Sequence, residues 1–213
     1  MIYIFYTLIN EDNHKDLINK YLPKFSTEFQ KKVLRYRRWQ DAQLSLLGRV
    51  LLVKGMEQMN YNFDDFDLKY TFYNKPYFDS IDMSFNISHS GKIVICALTR
   101  LGSIGIDIEK IKPIKITGFK SQMTKNEWES VNNSKDKIRS FFYHWSQKEA
   151  VIKTNGKGFT IPLKSFEIRN KKTTVGFENF FLKEITIKDD YSCHVALNRK
   201  IDTIEIKINK LDF

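Results

Sequence analysis

The chain has 213 residues, 42% of them hydrophobic and 14% aromatic, which is enough apolar surface for the core of one compact domain or two small ones. Its only cysteines, Cys96 and Cys193, exclude a disulfide scaffold and a multi-cysteine zinc site and fit a reducing compartment, so we expect a cytoplasmic protein. The net charge of +10 predicts attraction to polyanions. A membrane partner is not expected, because the longest apolar run, residues 93–98, is far shorter than the ~20 residues of a spanning helix.

The predicted elements alternate between strand-forming and helical regions. Residues 2–9 are β-branched and aromatic, which is typical of a strand, and Asp12 is expected to cap a short helix that Pro23 ends near Leu22. Helical periodicity follows Ser26 at about 27–59, as either one helix or two, and returns at 125–132 and 137–154. The remaining strand-like runs are at 68–73, 83–87, 93–99, 103–109, 165–169, 175–177, 182–187, 194–197 and 203–208.

Helix followed by strands thus occurs twice, which predicts a mixed α+β fold of two similar α/β halves that meet near residue 102. The first half is expected to span residues 1–101 and the second half residues 102–213. No glycine-, serine- or proline-rich linker separates them in the sequence, so we expect the two halves to pack tightly together.

The segment from Gly102 to Lys110 carries two acids on a strand pattern. Because strand side chains alternate, Asp107 and Glu109 share a face, beside a glycine, Gly105, that would leave room for a ligand. The simpler interpretation is a half-buried strand whose polar face lies in water.

The predicted helical region over residues 137–154 would place Glu149 and Lys153 one turn apart on the same face. An ordinary surface ion pair explains that spacing equally well. Around Ser88, His89 and Ser90, which precede Gly91, hydroxyls and a ring nitrogen can converge on an anion. Turn chemistry with a hydrogen-bonded structural histidine is the alternative there.

In this order, four segments resemble the 4′-phosphopantetheinyl transferases of the surfactin-synthetase-activating type. They are Lys75-Pro76, Phe85-Asn-Ile-Ser-His-Ser-Gly91, Gly105-Ile-Asp-Ile-Glu109 and Trp145-Ser-Gln-Lys-Glu-Ala-Val-Ile-Lys153. The resemblance covers most of the chain and implies two halves fused as an intramolecular pseudo-dimer, with the active site in the cleft between them. It implies a monomeric enzyme that transfers 4′-phosphopantetheine from coenzyme A to a serine of an apo acyl or peptidyl carrier protein and releases adenosine 3′,5′-bisphosphate.

By the same resemblance, Asp107, Glu109 and Glu149 would hold Mg²⁺, or alternatively Mn²⁺, against the pyrophosphate of coenzyme A. Glu149 would accept the serine proton, directly or through a water, and Lys153 would stabilise or protonate the departing phosphate. Lys148 belongs to the motif, but substrate binding and surface solvation both remain open for it. Glu127 occupies a position where the family carries an acid, and no metal-ligand role is assigned to it.

The resemblance also implies contacts with coenzyme A. The matching residues are Lys75 and Pro76 on the adenine side, Ser88 and His89 at the phosphates, and Lys32 and Ser45 at the 3′-phosphate. Asn74 replaces the family's usual glycine, and Phe29 replaces a second lysine at the 3′-phosphate. The candidates to substitute for that lysine are Lys31, Arg35, Arg37 and Arg38.

The basic surface fits an acidic carrier protein, because complementary charge speeds encounter. A nucleic-acid-binding module is the rival interpretation, but three clustered carboxylates would repel phosphates in the absence of a metal. A different Mg²⁺-dependent nucleotide enzyme lacks support, since the sequence has no phosphate-binding loop of the G-x-x-x-x-G-K-[ST] type. A protein of the same fold that binds carriers or polyanions without turnover is the remaining alternative.

Overall fold

The computed structural model describes residues 1–61 and 68–213, with Phe159 by its backbone alone. It confirms a mixed α+β fold and divides the chain into two compact units, Leu101–Ile204 and Met1–Arg100 together with Glu205–Phe213. Residues 205–213, which the sequence pattern assigned to the second half, group with the first unit. They do so because the last strand, β10 (Ile206–Lys210), pairs in parallel with the first strand, β1 (Ile2–Leu8).

The first unit is built on a four-stranded sheet in the order β10-β1-β5-β4, in which β4 is Ser84–Ser90 and β5 is Ile93–Thr99. Every residue of β5 is buried. The described part of this unit also has a hairpin of β2 (Leu68–Tyr70) and β3 (Pro76–Phe78). Its α-helices are α1 (His14–Tyr21), α2 (Thr27–Leu34) and α3 (Trp39–Gln58).

The predicted helical stretch over 27–59 is two helices, α2 and α3, separated by residues 35–38. Ser26 caps α2 as a helix N-cap should, because its hydroxyl accepts a hydrogen bond from the Phe29 backbone N–H. The predicted cap at Asp12 is wrong. Asn13 occupies the N-cap position of α1, and the Asp12 backbone N–H donates to the side chain of Asn10 in the preceding turn.

The second unit has an antiparallel sheet in the order β6-β9-β8-β7. Its strands are β6 (Ile104–Lys110), β7 (Lys172–Val175), β8 (Glu178–Glu184) and β9 (Tyr191–Leu197). Two α-helices, α4 (Lys125–Asn133) and α5 (Lys137–Asn155), accompany it, and α5 packs across β6 and β9.

The predicted strand over 165–169 is wrong. Within those residues, all of them described, the structure has the end of a 3₁₀ turn, Leu163–Ser165, and one isolated bridge from Arg169 to Lys172. Phe166 is nonetheless buried in the core of this unit, so the apolar pattern reports burial rather than strand pairing. In the described part of the chain, no helix is long and apolar enough to span a membrane.

Candidate active site

The acidic strand β6 lies directly against helix α5, and Gly105 makes that approach possible. A Cβ at Gly105 would overlap the carbonyl oxygen of Ala150 and the amide nitrogen of Thr154. The expectation that Gly105 leaves room for a ligand is therefore wrong, because the helix backbone fills the space. Asp107 follows Gly105 by two residues and shares its strand face, so it lies beside the last turns of α5.

Asp107 and Lys153 form the central contact of the site. The Lys153 Nζ donates a hydrogen bond of 2.6 Å to Asp107 Oδ1, from helix to strand. Asp107 is only 3% exposed, so the simpler interpretation, a polar strand face in water, does not hold. The side chain of Lys153 is 26% exposed, so it is less deeply buried than Asp107.

Glu149, one turn before Lys153 on α5, is 8% exposed and is not half of a surface ion pair. The pKa of Glu149 is raised to about 7, chiefly by burial and also by the Asp107 and Glu109 carboxylates, against the opposing effect of Lys153. A carboxylate with a pKa near neutrality can accept a proton at physiological pH and release it again. The shift also indicates that the Asp107 and Glu109 carboxylates lie within electrostatic reach of Glu149.

These three side chains supply only oxygen donors, the type that Mg²⁺ and Mn²⁺ prefer. Among residues 1–61 and 68–213, no group of three or more His, Cys, Asp or Glu side chains is arranged so that it could hold a metal ion. Mg²⁺ commonly uses one or two carboxylates and completes its shell with substrate phosphates and water. The donor set therefore fits a divalent ion that is shared with a phosphorylated substrate.

Lys148 is placed in the structure as neither of its two sequence-based interpretations, substrate binding and surface solvation, predicted. It is fully buried, its Nζ donates to the carbonyl oxygens of Leu163 and Phe166 at 2.7 and 2.6 Å, and it lies 3.0 Å from Glu127 Oε1. The ammonium also lies over the Phe166 ring, 4.5 Å from its centroid. Lys148 and Glu127 thus join α5, α4 and the 163–166 segment, and the ammonium faces neither solvent nor an open cleft.

A second buried network was missed from the sequence. The Ser146 hydroxyl lies 2.9 Å from the Ser192 hydroxyl and 2.8 Å from His194 Nδ1, and burial lowers the pKa of His194 to about 3. His194 is the direct cross-strand partner of Asp107 in the β6–β9 ladder. The network therefore fastens α5 to β9 next to Asp107. The alternation of Ser192 and His194 on one strand face was its only signal in the sequence.

The other predicted residues lie in the first unit. Ser88 is buried on β4 and His89 is exposed, and adjacent strand residues point to opposite faces. The His89 ring therefore does not converge with the Ser88 and Ser90 hydroxyls on one face. The remaining positions are an exposed Lys32 on α2, a partly buried Ser45 on α3, and partly buried Lys75 and Pro76 at the start of β3.

Asn74 has φ +61°, a left-handed backbone that glycine adopts without strain and asparagine tolerates better than most residues. This conformation is compatible with an asparagine at a position where the resemblance implies a glycine.

Comparisons with known proteins match both parts of the chain. Residues 103–200 match the model of the 4′-phosphopantetheinyl transferase superfamily, and residues 13–100 match the model of the 4′-phosphopantetheinyl transferase N-terminal region. The chain is 39% identical over 173 residues to 4′-phosphopantetheinyl transferase Sfp of Bacillus subtilis (strain 168), covering 79% of this chain and 74% of that protein. It is 34% identical to a 4′-phosphopantetheinyl transferase of Bacillus subtilis, with coverage of 85% and 87%. It is also 34% identical to the transferase gsp of Aneurinibacillus migulanus, with coverage of 88% and 80%.

Proposed function

The chain belongs to the 4′-phosphopantetheinyl transferase superfamily, and from that membership we propose that it transfers 4′-phosphopantetheine from coenzyme A to a serine of an apo acyl or peptidyl carrier protein. The observation that carries the proposal is the cluster between β6 and α5, where a buried Asp107 pairs with Lys153 beside Glu149, a carboxyl with a pKa of about 7. Such a cluster combines a proton acceptor with a cation for a leaving phosphate.

The proposed reaction is a single displacement at phosphorus. The carrier serine Oγ forms a bond to the phosphorus that bears pantetheine, while the bond from that phosphorus to the bridging oxygen breaks. Glu149 accepts the serine proton, directly or through a water. Lys153 stabilises or protonates the oxygen of the departing adenosine 3′,5′-bisphosphate. Because α5 holds both side chains one turn apart, their placement is prepared before substrate binds.

Members of this family use coenzyme A and a divalent metal ion, and Asp107, Glu109 and Glu149 are the residues that would hold Mg²⁺ or Mn²⁺ here. When bound, the ion would neutralise pyrophosphate charge. The Asp107–Lys153 pair bears on this role, because Lys153 Nζ already contacts Asp107 Oδ1. Lys153 therefore orients a proposed metal ligand and can exchange that contact for a phosphate oxygen.

In the first unit, we assign coenzyme A binding to Lys32, Ser45, Lys75, Pro76, Ser88 and His89. The net charge of +10 favours an acidic carrier protein, because opposite charges accelerate encounter. We also propose that the protein is a cytoplasmic monomer.

Intact mass spectrometry of an apo peptidyl carrier protein, incubated with the protein, coenzyme A and Mg²⁺, tests the proposal. We expect a mass gain of one phosphopantetheine, which EDTA or removal of the carrier serine abolishes. Glu149→Gln should abolish the gain. Glu129→Gln should retain it, because Glu129 is an exposed acid that forms a surface ion pair with Lys125 on α4. No gain on this carrier or on an apo acyl carrier protein, with coenzyme A binding intact, would favour a carrier-binding protein without turnover.

A further inference from the structure

His194 is a buried histidine that the proposed chemistry does not use. It lies on β9, is 1% exposed, and is the direct cross-strand partner of Asp107. Its Nδ1 lies 2.8 Å from the Ser146 hydroxyl of α5, and its ring stands nearly perpendicular to the Tyr143 ring, with the centroids 4.8 Å apart. Tyr143 precedes Ser146 by three residues and shares its helix face. Both contacts of His194 are therefore made with one face of α5.

The hydrogen bonds of this network are directed at the helix. Two residues of β9 hold the Ser146 hydroxyl, because Ser192 Oγ lies 2.9 Å away in addition to His194 Nδ1. Ser146 has a partner within its own helix, the Tyr143 carbonyl oxygen at 3.3 Å, as a serine inside a helix commonly does. The contacts with β9 are shorter and come from another element. They therefore fix α5 on the sheet rather than merely satisfy a buried hydroxyl.

The imidazole has its hydrogen bonding on the side of Ser146. Among the described residues, His194 Nε2 is buried and has no hydrogen-bond partner. Burial also lowers the pKa of His194 to about 3, so the ring is neutral at physiological pH. A neutral ring adds no positive charge beside the acids of the site, and a role in proton transfer is not assigned to it.

The Ser146 contact is one of two that anchor α5 on β9. At the other, the Thr154 hydroxyl lies 3.1 Å from the carbonyl oxygen of Ala196. Glu149 and Lys153 lie between these anchors in the sequence. A helix that is held at two separated points can neither slide along the strand nor turn about its own axis. The two proposed catalytic side chains are therefore carried by the segment of α5 whose position is fixed.

We propose that His194 is a positioning residue for phosphopantetheine transfer, an inference that rests on the proposed function. Through Ser146 it fixes the rotation of α5. Glu149 follows Ser146 by three residues and shares its helix face, so a rotation at Ser146 would displace the Glu149 carboxylate. Asp107 would stay on the sheet, in one cross-strand pair with His194. The helix and strand parts of the site would then lose their alignment, and a misplacement of about 1 Å can lower turnover about a hundredfold.

Substitutions that keep or remove the Nδ1 contact test the inference. His194→Asn keeps a polar amide atom near the position of Nδ1, His194→Gln places its amide near the position of Nε2, and His194→Leu removes hydrogen bonding. At saturating Mg²⁺, His194→Leu should lower kcat per folded molecule at least about tenfold and leave KM for coenzyme A within about twofold. It should also raise the Mg²⁺ concentration for half-maximal transfer. His194→Asn should recover most of kcat, whereas His194→Gln should not.

A double-variant cycle tests whether His194 acts through Ser146. Ser146→Ala should lower kcat in the same way as His194→Leu. The double variant should lose no more than about twofold beyond the larger single loss, because both substitutions remove the same contact. Losses that multiply would overturn the inference.

Val131→Ala is the matched control for lost stability, because Val131 is a fully buried residue of α4 and belongs to neither anchor. It should leave kcat per folded molecule and the Mg²⁺ dependence within about twofold of wild type. Hydrogen exchange of the free protein, followed by mass spectrometry, needs no coenzyme A, metal or carrier. Amides of residues 146–154 should exchange at least about tenfold faster in His194→Leu than in Val131→Ala, and His194→Asn should restore their protection.

The outcomes separate the inference from the proposed function. Unchanged kcat, Mg²⁺ dependence and exchange in His194→Leu would overturn the inference while wild-type transfer stands. If His194→Leu does not fold, the two amide variants decide, and equal kcat in His194→Asn and His194→Gln would overturn the inference. A wild type that modifies neither carrier protein would overturn the proposed function and the inference together.

Discussion

Replacing Glu149 with glutamine should stabilise the fold while abolishing transfer, because the wild-type carboxylate is held where its charge is disfavoured. The pKa of Glu149 rises from 4.5 to about 7 on folding. Above pH 7 the group is ionised in both states, and the rise corresponds to about 3 kcal/mol of lost stability at 1.36 kcal/mol per pH unit. Below pH 4.5 the group is protonated in both states and the loss disappears, so this destabilisation grows as pH rises from 4.5 to 7.

Urea unfolding at pH 5 and pH 8, in EDTA, measures this effect. A Trp39→Phe background confines the fluorescence signal to Trp128 and Trp145, both in the second unit. Glu149→Gln should be more stable than its parent by about 3 kcal/mol at pH 8 and by less than about 1 kcal/mol at pH 5. The exposed control Glu129→Gln should differ from its parent by less than about 0.5 kcal/mol at either pH. Equal stability of Glu149→Gln and its parent at pH 8 would refute a buried, charge-coupled Glu149.

Three further substitutions probe the helix–strand contact, the proposed metal ligands and the buried lysine. Gly105→Ala should destabilise the protein by about 3 kcal/mol or more in urea unfolding. The control Gly118→Ala should change stability little, because a Cβ at Gly118 meets nothing within 4 Å. Equal effects of the two substitutions would contradict the close packing of α5 on Gly105. Asp107→Asn should raise the Mg²⁺ concentration for half-maximal transfer at least about tenfold, and an unchanged Mg²⁺ titration would remove Asp107 from the ligand set. Lys148→Met should lower the free energy of unfolding by about 3–5 kcal/mol, because it leaves the buried Glu127 carboxylate without its positively charged partner. Adding Glu127→Leu should restore only the part of that loss that comes from the unpaired carboxylate, because the Leu163 and Phe166 carbonyls stay without the lysine donor. No recovery at all in thermal unfolding would argue against the pair.

The alternation of residues in β6 was sufficient to place Asp107 and Glu109 on one strand face, and the helical spacing was sufficient to pair Glu149 with Lys153 on α5. Both placements depend only on the local period of the backbone, whereas the ion-pair partner of Lys153 is Asp107 rather than Glu149. The role of Gly105 could not be predicted in this way, because what lies over a strand face depends on packing with an element 45 residues away in the sequence. A glycine pattern alone does not distinguish space for a ligand from space for a helix.

Long-range pairing also explains the errors in the fold. The strand over 206–210 was predicted close to its place, but its partner, β1, lies at the opposite end of the chain. Phe166 produced a false strand signal because its burial serves the core and the Lys148 contact rather than a ladder. Local sequence patterns could not predict the Ser146–His194 contact for the same reason, since the two residues are 48 positions apart. Local patterns thus predict elements and their faces, and tertiary contacts decide their partners.

The two lysines of the helical motif show that tertiary contacts give similar residues on one helix different roles. Lys148 and Lys153 are both on α5, and each contacts an acid of the second unit. Three oxygens, those of Leu163, Phe166 and Glu127, surround the Lys148 ammonium, and an ammonium has three donors. Lys148 therefore has no remaining donor for a substrate and acts by holding α5 in place. Lys153 is partly exposed beside Asp107. In the proposed reaction it contacts a substrate phosphate while α5, fixed by Lys148 and by Ser146, keeps Glu149 one turn away.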